Sequence, residues 1–133
     1  MRILSIDYGT INTGLALGEN GVTMPFDSIR TKSSKELVTK IKQVIFDEKI
    51  EVLVVGIPNN PDSLQRNITL NFVEELKKEI KNTKIELQDE TGTSKDAMDE
   101  NFESFKKLKK VKKKLHTLSA ENILKRYFEG IYF

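Results

Sequence analysis

Apolar and polar positions alternate along the first residues of the chain. Leu4, Ile6 and Tyr8 fall on one face and Ile3, Ser5 and Asp7 on the other, a period of two that predicts a strand over 2–8. The segments GLALGE (14–19) and VTMPFDSIRT (22–31) predict two more strands, joined through Glu19, Asn20 and Gly21 as a hairpin turn. The period then changes. Leu37, Ile41, Val44 and Ile45 recur at helical spacing behind Ser33 or Ser34 as N-cap, with Glu36 in the first turn. EVLVVGI (51–57) is a continuous apolar run, as a central parallel strand covered on both faces requires. The loop PNNPDSLQRN leads into a helix reaching Lys81, with Ile68, Phe72, Val73, Leu76 and Ile80 as its buried stripe. KIELQDE (84–90) reads as a short strand ending in two acids, and TSKDAMDENFESF as a short helix or ordered loop. A last helix over 116–130 carries the stripe Ala120, Ile123, Leu124, Tyr127 and Phe128.

The predicted order is therefore β-β-β-α-β-α-β-α. Three antiparallel strands followed by β-α units make a five-stranded mixed sheet flanked by helices, an α/β architecture of the ribonuclease H-like kind. No repeat or linker interrupts it, so residues 1–133 are expected to form a single domain. A chain of this length buries about 70% of its unfolded surface and needs no staples. There is no cysteine, which excludes disulfides and thiolate metal sites. The start, MRILSID, lacks the apolar core of a signal peptide, and no run approaches the ~20 apolar residues of a membrane span. A cytoplasmic protein with no membrane association is expected, as a monomer or weak homodimer. Net charge is only +2, but its distribution is uneven. KKLKKVKKK (106–114) holds Lys106, Lys107, Lys109, Lys110, Lys112, Lys113 and Lys114, and no acid occurs between Glu103 and Glu121. A run so poorly neutralised suits contact with the phosphates of a nucleic acid.

The remaining puzzle is Asp7. A carboxylate at the end of a central strand is costly to desolvate unless a partner or cation compensates it. Asp89 and Glu90 end the last strand, and His116 opens the final helix in phase with Ala120, so its side chain is expected to face the sheet. If the last strand lies beside the first, these groups meet at one edge. Acids gathered there suit Mg²⁺ or Mn²⁺, and two such ions about 4 Å apart would clamp both oxygens of an in-line phosphoryl displacement. Glu121 lies about 140° around the helix from His116 and is the poorer candidate. Gly9 and Gly14 are expected to let the backbone turn closely beside a bound phosphate.

These residues carry a family resemblance. ILSIDYGTINTGLALGE, EVLVVGIPNN, QDETGTSKDA and LHTLSAENILKRYFE together resemble, end to end and in order, the YqgF family of Holliday-junction-resolvase-like proteins assigned to pre-16S rRNA processing. The resemblance implies a ribonuclease H-like fold, divalent-metal hydrolysis of phosphodiesters, and maturation of the 5′ end of small-subunit ribosomal RNA. The partners it implies are precursor rRNA, the small-subunit precursor particle, or branched DNA. By position it makes Asp7 and Glu90 metal-binding acids with Asp89 beside them. The chain departs from the family pattern at three places. Asn12 and Thr91 stand where the family has basic residues expected to contact phosphate, and His116 stands where it commonly has Asp. Related resolvases use His in the corresponding helix, so the resemblance leaves His116 as metal ligand or proton carrier.

Two other readings compete with a metal-dependent nuclease. One is a nucleic-acid-binding protein that kept the fold and lost catalysis, which divalent-ion binding at Asp7 and Glu90 would exclude. The other is a phosphotransferase of the actin-like and sugar-kinase group, whose phosphate hairpin DYGTINTG resembles. Those proteins place a nucleotide between two such domains, and 133 residues supplies one.

Overall fold

The computed structural model describes residues 1–60, 62–89 and 108–132, the side chains of 108–115 and 131–132 falling outside that description. The described strands are β1 (Arg2–Asp7), β2 (Asn12–Glu19), β3 (Val22–Arg30), β4 (Val52–Ile57) and β5 (Lys84–Asp89). The helices are α1 (Ser34–Glu48), α2 (Leu64–Glu79) and α3 (Leu108–Tyr132). Together the strands form one five-stranded sheet in the order β3-β2-β1-β4-β5. The first three are an antiparallel meander; β1, β4 and β5 are parallel. The mixed sheet expected from the periodicity is present.

Local chemistry explains the boundaries. Asn20 and Gly21, both at positive φ (55° and 81°), make the tight turn between β2 and β3. Ser33 caps α1 by accepting from the Glu36 amide, and Ser63 caps α2 by accepting from the Arg66 amide. The outer strand β3 carries Pro25 and a register shift opposite Leu15/Ala16, both of which spoil pairing with a further strand.

Two cores lie on opposite faces of the sheet. Leu4, Ile6, Leu15, Leu17, Leu53 and Val55 pack with α1 and α2. Ile3, Ala16, Val52 and Val54 pack with Ala120, Ile123, Leu124 and Phe128 of α3. β2 is thus covered on both faces, and it meets α3 with a strip of small residues, Gly14, Ala16 and Gly18.

Two expectations need correction. β5 does not lie beside β1, because β4 stands between them. The final helix starts at Leu108, two turns before the expected 116, and so includes Lys109, Lys110, Lys112, Lys113 and Lys114. The short helix or loop expected over 93–105 lies outside the described residues.

Candidate active site

The parallel strands β1, β4 and β5 all finish at one edge, and Asp7 is the last residue of β1. It is half-buried and pairs directly across the antiparallel ladder with Gly14. Directly opposed residues share a face of the sheet, and Gly14 faces α3. A Cβ at Gly14 would collide with the backbone carbonyl of His116 and sit 3.1 Å from the His116 Cβ. Asp7 and His116 are therefore brought to the same face at the same rung of the ladder. Gly14 serves this approach: its missing side chain is the space into which the backbone of α3 fits, rather than a turn beside a phosphate.

Three contacts fix this geometry. Ser5, fully buried on the same face of β1 as Asp7, donates its hydroxyl to the Ala120 carbonyl at 2.6 Å, one turn along α3 from His116. The loop after Asp7 is closed by Thr13, whose Oγ1 accepts from the Gly9 amide at 3.3 Å and lies 3.2 Å from the Gly9 carbonyl. On the opposite face Tyr8 stacks on Phe72 of α2, with ring centroids 4.1 Å apart. Burial first, and Glu75 second, push the Tyr8 hydroxyl above its ordinary pKa. Glu121 accepts from Thr23 of β3 at 2.9 Å, so its carboxylate is engaged away from Asp7.

The acids of β5 are placed differently from Asp7. Asp89 pairs in register with Ile57, a residue of the α1–α2 core, whereas Glu86 and Gln88 pair with Val54 and Gly56. By register Asp89 lies on the face opposite Asp7, and two strand spacings, roughly 10 Å, separate β5 from β1. Glu90, Thr91, Lys106 and Lys107 lie outside the described residues, as do the side chains of Lys109, Lys110, Lys112, Lys113 and Lys114. Asn12 opens β2, half-buried, two residues before Gly14. Among the described residues no three histidine or carboxylate groups converge into a metal-holding cluster; the structure brings Asp7 and His116 together and leaves Asp89 apart.

The direction of α3 matters for the lysines. His116 lies over Gly14, while Leu124 and Phe128 lie over Gly18, so α3 runs alongside β2 in the same sense. The eight residues 108–115 add about 12 Å of helix before His116. They lead past the start of β2, on the Asp7 edge. Ser5 is a residue that periodicity names without assigning a role; a buried hydroxyl in an apolar strand, in phase with Asp7, is the signal that marks it. No helix among the described residues is long and apolar enough to cross a membrane.

Known proteins share both the sequence pattern and the fold. The chain matches the family model described as RuvX, Holliday junction resolvase, over residues 1–130. It is 31% identical over 135 aligned positions to a protein of Histophilus somni (strain 2336) named "Putative pre-16S rRNA nuclease", covering 98% of this chain and 95% of that one. A protein of the same name from Buchnera aphidicola subsp. Baizongia pistaciae is 32% identical, with 96% of each chain covered. Among solved structures, Fowlpox virus resolvase in complex with Holliday junction DNA superposes with a TM-score of 0.64 at 16% identity, all of both chains being covered. T. thermophilus RuvC with its Holliday junction substrate gives 0.62 at 10% identity, over 99% of this chain and 97% of that one. These likenesses establish the ribonuclease H-like fold.

Proposed function

Since the chain belongs to the RuvX family of Holliday junction resolvases, we propose that it is a cytoplasmic nuclease that hydrolyses phosphodiester bonds in structured nucleic acid, its task being 5′-end maturation of pre-16S ribosomal RNA. The observation that supports this most is the meeting of Asp7 and His116 across Gly14 at the edge where the parallel strands end. Open α/β sheets bind ligands at that edge. The names of the curated relatives favour RNA as substrate, and the solved junction complexes keep branched DNA as the second candidate.

The donor set fits a divalent cation. Asp7 offers hard carboxylate oxygens at a half-buried strand end, and His116 offers an imidazole nitrogen that Mn²⁺ accepts more readily than Mg²⁺. Asp7, Glu90 and His116 would hold the ion, which supplies Lewis-acid activation of water and neutralises charge at the scissile phosphate. Glu90 is preferred to Asp89 as second acid because the register of β5 puts Asp89 off the Asp7 face. The chain itself does the positioning. Ser5 of β1 and Gly14 of β2 set how close α3 lies to the sheet, and the lysine-bearing turns of α3 hold the substrate backbone at the same edge.

The test is cleavage of a 5′-extended small-subunit rRNA precursor in Mg²⁺ and in Mn²⁺ by wild type and Asp7→Asn. Wild type is expected to cut and Asp7→Asn to bind the RNA without cutting. Equal turnover in the two proteins removes Asp7 from the chemistry. Tight binding without cleavage by wild type in either ion instead supports the non-catalytic reading that Asn12, Thr91 and His116 favour.

A further inference from the structure

From the register of β2 and β3, we infer that Arg30 is a phosphate-contact residue, holding the nucleic-acid backbone together with the lysine-bearing turns of α3. This rests on the reading that the substrate is a nucleic acid. Arg30 is the last residue of β3 and pairs directly with Asn12, the first residue of β2. Asn12 precedes Gly14 by two, so Asn12 and its partner Arg30 share the face on which Asp7 and His116 meet. The strand end is held in place beyond the pair, since the Thr31 amide donates to the Ile11 carbonyl at 2.8 Å. Strand spacing and rise put the Arg30 backbone roughly 12 Å from that of Asp7, close enough for one substrate strand to touch both.

Two observations point to an anionic ligand there. Arg30 is exposed and takes part in none of the ion pairs among the described residues, whereas Arg2 faces Glu19 and Glu48. The course of α3 over β2 brings the turn before His116 to the level of Asn12 and Arg30, so a basic strand end and a five-lysine stretch of helix, far apart in sequence, come to one edge. Like charges brought to one edge repel one another, and a polyanion relieves that repulsion on binding. A guanidinium is also the group best shaped for phosphate, because its fork donates two parallel hydrogen bonds.

The experiment is fluorescence anisotropy of a labelled 5′-extended small-subunit rRNA precursor fragment, in EDTA, titrated at several NaCl concentrations. Wild type, Arg30→Gln, Arg30→Lys and the quadruple Gln variant of Lys109, Lys110, Lys112 and Lys113 are compared. Arg30→Gln is expected to reduce the slope of log K against log salt by about 0.7–0.9 and to weaken binding several-fold at physiological salt. Arg30→Lys keeps the charge and is expected to restore the slope. Its affinity should recover only in part, because the fork is lost. An Arg30→Gln protein whose slope and affinity match wild type overturns the assignment while the quadruple variant still reports on the α3 lysines. Absence of salt-dependent binding by wild type overturns the nucleic-acid reading itself and this inference with it.

Discussion

Gly14 and Ser5 set the spacing of α3 from the sheet by opposite means, one by lacking a side chain and the other by holding one. The two are separable by substitution. Gly14→Ala puts a methyl group into the His116 backbone, and such overpacking typically costs about 1–3 kcal/mol. Gly130, in the same helix, has open space where a methyl group would go, so Gly130→Ala should instead gain about 0.5–1 kcal/mol from backbone entropy. Urea unfolding of the pair is the check, and a shift in the same direction for both would deny the close approach at Gly14. Ser5→Ala removes one buried hydrogen bond without adding volume. A loss of about 0.5–1.5 kcal/mol is expected, a few degrees in Tm by calorimetry.

At the scale of elements, α3 is tied to the edge strand β5 by chemistry that responds to pH. Glu86 of β5 is held below the usual carboxylate range by Lys84 first, 2.8 Å away, and then by the Tyr127 hydroxyl of α3. Burial first, and Glu86 second, push the Tyr127 hydroxyl up to about 12. Its folded pKa thus exceeds the ordinary value of 10.0, so what the neutral hydroxyl adds to stability is whole below about pH 10 and is lost as pH rises toward 12. Spectrophotometric titration should show a tyrosine phase near 12 that Tyr127→Phe removes. The stability difference between wild type and Tyr127→Phe should also shrink above pH 10. The partners themselves are not legible in the sequence, although most of the elements are. Strands and helices follow from hydrophobic period, and Ser33 and the Asn20–Gly21 turn from local chemistry. Strand order does not, because it is settled by which face each connecting helix covers, and β4 consequently separates β5 from β1. The start of α3 is hidden by charge: Leu108, Val111, Leu115 and Leu118 keep helical spacing through the lysine run. His116 is legible from its phase with Ala120. The rung it shares with Asp7 is not, since it depends on a glycine whose purpose shows only when the helix is in place.

For the molecule as a whole, the proposed centre joins positions 7, 90 and 116, which belong to or follow β1, β5 and α3, so an ion bound there would fasten distant parts of the chain. Any species that binds only the folded form stabilises it by mass action, about 2.7 kcal/mol at a concentration one hundred times Kd. Mn²⁺ should therefore raise the Tm of the wild-type protein in a concentration-dependent way, without any need for substrate. The increase should be larger than with Mg²⁺, because the imidazole of His116 is a better ligand for Mn²⁺ and brings no negative charge to the smaller, harder ion. Asp7→Asn should abolish the increase while leaving the ion-free Tm near or above that of wild type, since a centre that pairs Asp7 with Glu90 sets two carboxylates against each other when no ion is bound. His116→Asp restores a charged oxygen donor and should raise the response to Mg²⁺ relative to Mn²⁺. Thermal unfolding in EDTA, Mg²⁺ and Mn²⁺ for the three proteins decides the matter apart from any measurement of cleavage. Equal ion-induced shifts in wild type and Asp7→Asn would place the binding elsewhere. An unaltered Mg²⁺-to-Mn²⁺ ratio in His116→Asp would leave His116 as a packed residue at the start of the helix–sheet contact, with the ion held by carboxylates alone.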